Sequence, residues 1–117
     1  MKKRTALLFS ALLLVGCGTS QPTNLLQTDQ PLLNIEADAD AVIEAQANPH
    51  HAWLKNKTAS PIQVGYQLFW YDKNGVSQPP FVRQDIPLLL QAGEKYAIPL
   101  HKPTPESQNY RLYIRLK

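Results

Sequence analysis

The longest regular stretch of the chain alternates between apolar and polar positions. Across Ile62 to Asp72 (IQVGYQLFWYD), Ile62, Val64, Tyr66, Leu68 and Trp70 share one face at period two. Gln63, Gly65, Gln67, Phe69 and Tyr71 share the other. The first set predicts the core-facing side of a strand. Tyr110 to Lys117 repeats the pattern, with Tyr110, Leu112, Ile114 and Leu116 inward and Arg111, Tyr113, Arg115 and Lys117 outward. Shorter strands are predicted at Leu33 to Glu36, His51 to Thr58 and Lys95 to Leu100, the last with Tyr96, Ile98 and Leu100 on one face. Asp72-Lys73-Asn74-Gly75 and Gln91-Ala92-Gly93-Glu94 are turn sequences, each with a glycine free to take positive φ. Val76 starts a return that Pro79-Pro80 breaks. Phe81 to Leu90 resumes it with Pro87 in its middle, so a strand there is an edge or is interrupted. Residues 37–48 (ADADAVIEAQAN) fit two descriptions: alanine and glutamate favour helix, whereas Val42-Ile43 and the short length allow a strand. Short alternating strands separated by proline and glycine turns predict an all-β domain over residues 32–117, an antiparallel β-sandwich.

Upstream the pattern disappears. Residues 18–31 (GTSQPTNLLQTDQP) are polar, punctuated by proline and without periodicity, which predicts a flexible tether. Before the tether, Lys2, Lys3 and Arg4 precede a charge-free run from Ala6 to Val15, then Gly16 and the sole cysteine, Cys17. That order describes an export signal over residues 1–16. As a helix the apolar run would extend about 15 Å, half of a bilayer core of roughly 30 Å, so it is too short to remain as a span. Leu14-Val15-Gly16-Cys17 resembles the lipobox of bacterial lipoproteins. The resemblance implies a diacylglycerol on the sulfur, cleavage just before Cys17, and an acyl group on the new amino terminus. One acyl chain binds a membrane marginally, and two or more hold stably. An Asp after the cysteine commonly retains such proteins at the inner membrane of Gram-negative bacteria. Gly18 in that place implies the periplasmic leaflet of the outer membrane. Lacking a second cysteine, the chain has no internal disulfide.

The signal changes the charge balance. The chain has 12 basic and 9 acidic side chains. Removing Lys2, Lys3 and Arg4 leaves 12 − 3 = 9 basic side chains against 9 acidic in the remaining 117 − 16 = 101 residues. A neutral chain with no basic cluster argues against nucleic acid as a partner.

Four further stretches are similar to the YcfL family of small bacterial lipoproteins: Asn56-Lys57-Thr58, Val64 through Gly75 (VGYQLFWYDKNG), the Leu-x-x-Gly-Glu turn at Leu90 to Glu94, and Tyr110-Arg111-Leu112-Tyr113-Ile114. The resemblance runs from about residue 33 to residue 117. It implies an outer-membrane lipoprotein with an immunoglobulin-like sandwich, and it carries no catalytic residue or cofactor onto this chain.

Catalytic signatures are weak. With Cys17 acylated, the thiol is unavailable as a nucleophile, and no Gly-x-Ser-x-Gly elbow is present. His50 and His51 are neighbours and would point to opposite faces of a strand. A metal site would need one of them together with His101; surface histidines are the default. Asp38-Ala39-Asp40 lacks the glycine and distant glutamate of a calcium loop. Asn56 and Thr58 suit the satisfaction of backbone groups at a strand end. Arg111, Tyr113, Arg115 and Lys117 form a basic row broken by one aromatic, suited to an acidic partner. On an edge strand the same charges would instead oppose edge-to-edge pairing. Phe69 and Tyr71 form a binding patch if exposed, and a second core layer if covered. The expectation is a non-enzymatic, lipid-anchored periplasmic domain, without cofactor or metal. It would contact another envelope protein or peptidoglycan. The alternative is a carrier of a small ligand or metal.

Overall fold

The structure, a computed structural model, describes residues 30–81 and 84–117. The elements run β1 (Leu32–Ile35), α1 (Ala37–Asp40), β2 (Ile43–Ala47), β3 (Ala52–Asn56), β4 (Ile62–Tyr71), β5 (Ile86–Leu90), β6 (Lys95–Ala97) and β7 (Asn109–Leu116). They form two sheets, a four-stranded one in the order β1-β7-β4-β5 and a three-stranded one in the order β2-β3-β6. The fold is an all-β sandwich with a single helical turn among the described residues.

The core follows from the alternation. Val64, Tyr66 and Trp70 on β4, Leu90 on β5 and Tyr110, Leu112 and Ile114 on β7 are buried with Ile43, Ala52 and Leu54 of the other sheet, and Ala39 on α1 and Ile98 just after β6 complete the cluster. Trp70 and Tyr110 are partners across β4 and β7, and their rings sit 5.2 Å apart at 48°. The Tyr110 hydroxyl donates to the carbonyls of Asn48 at 2.5 Å and His51 at 3.3 Å. One ring therefore packs the core while its polar end ties down the β2–β3 turn, a use suited to tyrosine.

One fully buried polar side chain is accounted for atom by atom. Asn56 donates from Nδ2 to the carbonyls of Ser60, Leu90 and Gln91 at 2.7, 3.2 and 3.1 Å. Its Oδ1 accepts from the Thr58 amide and hydroxyl, both at 2.8 Å. Asn56 and Thr58 thus satisfy backbone groups at the end of β3, as their sequence suggests. The turn after β4 also forms as expected. Asp72 Oδ1 accepts from the amides of Asn74 and Val76 at 2.9 Å, and Gly75 takes φ 82°.

Several expectations are corrected. The sandwich is not wholly antiparallel, because β1 pairs parallel with β7, Leu32 to Ile35 against Arg111 to Ile114. No hairpin joins these strands, so no turn dictates their relative direction. β7 is also not an edge; it lies between β1 and β4, which removes edge protection as the reason for its charges. Within the expected stretch Phe81 to Leu90, the strand among the described residues is Ile86–Leu90. It does lie at an edge, Pro87 opposite Gly65, where a missing N–H costs no ladder bond. Residues 37–48 satisfy both of their descriptions in turn, with one helical turn followed by β2. β6 stops at Ala97, two residues before Pro99.

Candidate functional site

The register of the four-stranded sheet assembles the outward residues of β4 and β7 on one face. Phe69 lies opposite Arg111, Gln67 opposite Tyr113, and Gly65 opposite Arg115. On the far side β1 places Leu32 beside Arg111 and Asn34 beside Tyr113. Arg111, Tyr113 and Arg115 of β7, with Lys117 just after it and Phe69, are therefore brought together. Tyr71 is half-buried at the end of β4, paired with Asn109. Cys17 and the predicted signal and tether up to residue 29 lie outside the described residues.

The row is not a uniform positive stripe. The Arg111 guanidinium lies over the Phe69 ring, its Cζ 5.1 Å from the centroid, a planar cation on an aromatic face. Its Nε is buried and finds no acceptor among the described residues. Phe69 is half-buried beneath it. The Tyr113 hydroxyl donates to the Glu36 carboxylate, and that bond, with burial of the hydroxyl, raises the Tyr113 pKa. Arg115 and Lys117 share one carboxylate: Arg115 Nε donates to Asp85 Oδ2 at 2.5 Å, and Lys117 Nζ lies 3.6 Å from the same oxygen.

Asp85 organises this end of the face. Its side chain is only 3% exposed. Gln67 Nε2 donates to its other oxygen. It can lie this close to the sheet because residue 65 is glycine. A Cβ there would sit 2.9 Å from Asp85 Oδ2, 3.0 Å from Asp85 Cβ and 3.0 Å from Lys117 Cδ. The Gln67 hydrogen bond, reinforced by the hydrogen bond and charge of Arg115 and the charge of Lys117, outweighs burial and holds the Asp85 carboxyl below its ordinary pKa. A depressed carboxyl pKa adds stability above the unfolded value that is lost as pH falls through the folded one. Acid should therefore weaken the domain below about pH 4, and Asp85→Asn should flatten that part of the pH profile. Chemical denaturation across this range tests it; identical profiles for the two chains would refute the assignment.

His50 and His51 lie just before β3, not on a strand that would turn them to opposite faces, and they border one hollow with their ring centroids 6.5 Å apart. His101 borders another, with Tyr66 and Trp70. No group of three metal-ligating side chains forms among the described residues. Asp85, Glu36 and Gln67 escape a reading of the sequence alone, because pairing of β5 and β1 with their neighbours is what brings their side chains to this face.

A family model described as "Protein of unknown function (DUF1425)" matches residues 34–116, which span all but the start of β1. The chain belongs to the DUF1425 family. A Haemophilus influenzae protein, described as uncharacterized, is 35% identical over 116 residues, 97% of this chain and 99% of its own length. Two crystal structures share the fold of this chain at low identity. A DUF1425 family member from Shewanella sp. pv-4 superposes with a TM-score of 0.52 at 19% identity, covering 65% of this chain and 74% of that one. Campylobacter jejuni cj0090 gives 0.50 at 17% identity, covering 77% of this chain and 100% of its own.

Proposed function

We propose that this DUF1425 chain is a non-enzymatic, lipid-anchored binding domain of the YcfL type. In this reading acyl groups on Cys17 hold it at the periplasmic leaflet of the outer membrane. A short tether sets its reach, and an immunoglobulin-like sandwich presents the outer face of the four-stranded sheet to another envelope protein, with peptidoglycan as the second choice. Confinement by the anchor raises the effective concentration of the domain near membrane-bound partners. The observation that carries the recognition surface is the state of Arg111. It is stacked on Phe69 at 5.1 Å, its charge meets no carboxylate among the described residues, and Arg115 and Lys117 flank the same face with side chains 44% and 40% exposed. An ordered, uncompensated guanidinium suits bidentate capture of a carboxylate.

The test spares Arg115, which serves Asp85. Arg111→Glu should remove a partner from the set crosslinked in intact cells, Arg111→Lys should restore it only in part, and circular dichroism should stay unchanged. An unchanged set of crosslinked proteins in a folded Arg111→Glu chain would eliminate this surface.

A further inference from the structure

The opposite sheet carries a second arrangement that core packing does not explain. On the outer face of β2-β3-β6, Trp53 lies between Gln46 and Ala97, and the next row places Lys55 between Glu44 and Lys95. The Trp53 Nε1–H donates to Gln46 Oε1 at 3.0 Å. Lys95 Nζ lies 4.1 Å above the indole centroid. The methyl side chain of Ala97 leaves the space beside the indole unfilled, and a hollow of about 610 Å³ opens there, closed on its far side by the turn that carries His50 and His51. The Tyr110 hydroxyl holds the carbonyls of Asn48 and His51 from below at 2.5 and 3.3 Å, so this wall is fixed to the core. Among the described residues Lys95 makes no ion pair, since both ion pairs there involve Asp85 on the other sheet.

Each part has a chemical preference. A half-buried indole is a flat apolar platform with a polar edge. A side-chain amide and two imidazoles around it supply short-range donors and acceptors. An ammonium held only by a ring face gains by moving onto an anion, because a charge-assisted hydrogen bond is stronger than an exposed cation–π contact. The volume lies within the usual range for small-ligand sites, roughly 300–1,000 Å³.

We propose that this hollow binds an acidic saccharide. The sugar ring lies with its C–H face against Trp53, its hydroxyl or N-acetyl groups bond Gln46 and the imidazoles, and its carboxylate takes Lys95 from the ring. The site is on the other side of the sandwich from Arg111. A failed saccharide titration therefore leaves the basic face standing, and a failed crosslinking experiment leaves this site standing.

The experiment uses the full chain, nitrogen-15 labelled and purified in detergent, with the indole Nε1–H signals of Trp53 and Trp70 followed by NMR. The probes are N-acetylmuramic acid and N-acetylglucosamine, which share a ring and differ in the carboxylate. N-acetylmuramic acid should shift the Trp53 signal saturably, about tenfold more tightly than N-acetylglucosamine, the worth of one charge-assisted bond. The buried Trp70 signal should not move. Lys95→Gln, a surface change, should erase the preference for the acid, and Lys95→Arg should retain it. Trp53→Phe should weaken binding of both sugars, read from the Gln46 side-chain amide. Equal binding of the two sugars, a preference that survives Lys95→Gln, or no shift of Trp53 at saturating probe would each overturn the proposal.

Discussion

Trp70→Ala should lower the unfolding free energy by about 3–5 kcal/mol, the range for deleting a large aromatic side chain from a packed core. The indole is 4% exposed. It packs on Tyr110 at 5.2 Å between the two longest strands, so few neighbours can collapse into the space. A domain of this size has roughly 5–15 kcal/mol in total, so the variant should be partly unfolded at growth temperature. Loss of the ring would also loosen Tyr110, whose hydroxyl holds the β2–β3 turn. Urea denaturation of the full chain measures the effect. A loss below about 1 kcal/mol, typical of a surface change, would mean that the indole does not fill the core in solution.

Cys17→Ser should be all-or-none in its effect on location. An oxygen in place of sulfur cannot form the thioether, so the chain should remain an uncleaved precursor fractionating with the inner membrane and taking up no labelled palmitate. The single apolar run before it would then be the sole hold on the bilayer. Normal cleavage and outer-membrane fractionation of the variant would refute the anchor. This result stands apart from the fold, since Cys17 lies outside the described residues.

What was legible in the sequence, and what was not, divides along a physical line. Alternation states which face a side chain occupies. It therefore places Val64, Tyr66, Trp70, Leu112 and Ile114 in the core correctly. Alternation is silent about neighbours. A strand reads the same whether it lies inside a sheet or at its edge, which is why β7 was expected at an edge and its parallel partner β1 went unseen. The same gap hid the chemistry of the candidate site. Asp85 stands between Gln84 and Ile86 with no periodic context. Gln67 and Asp85 are 18 residues apart and meet through the β4–β5 pairing. Gly65 interrupts the outward row of β4. Its reason, the carboxylate lying across it, exists only once the sheet is formed. Trp53 was counted within a strand, and its Lys95 cover depends on the β3–β6 register.

The parallel pairing of β1 with β7 also has a mechanical consequence. Tension entering from the N-terminal side reaches the sandwich at Leu32, at one end of a ladder that joins Leu32–Ile35 to Arg111–Ile114. A partner gripping the outer face of β7 would pull from the other strand of that same ladder. A load between Leu32 and the C-terminal end of β7 at Leu116 runs along the strands, so the inter-strand bonds are sheared together; a load between Leu32 and its partner Arg111, at the same end of the ladder, would peel them one by one. β1 therefore resists most when the pull on Leu32 is opposed at the far end of β7, where every bond of the ladder must fail at once.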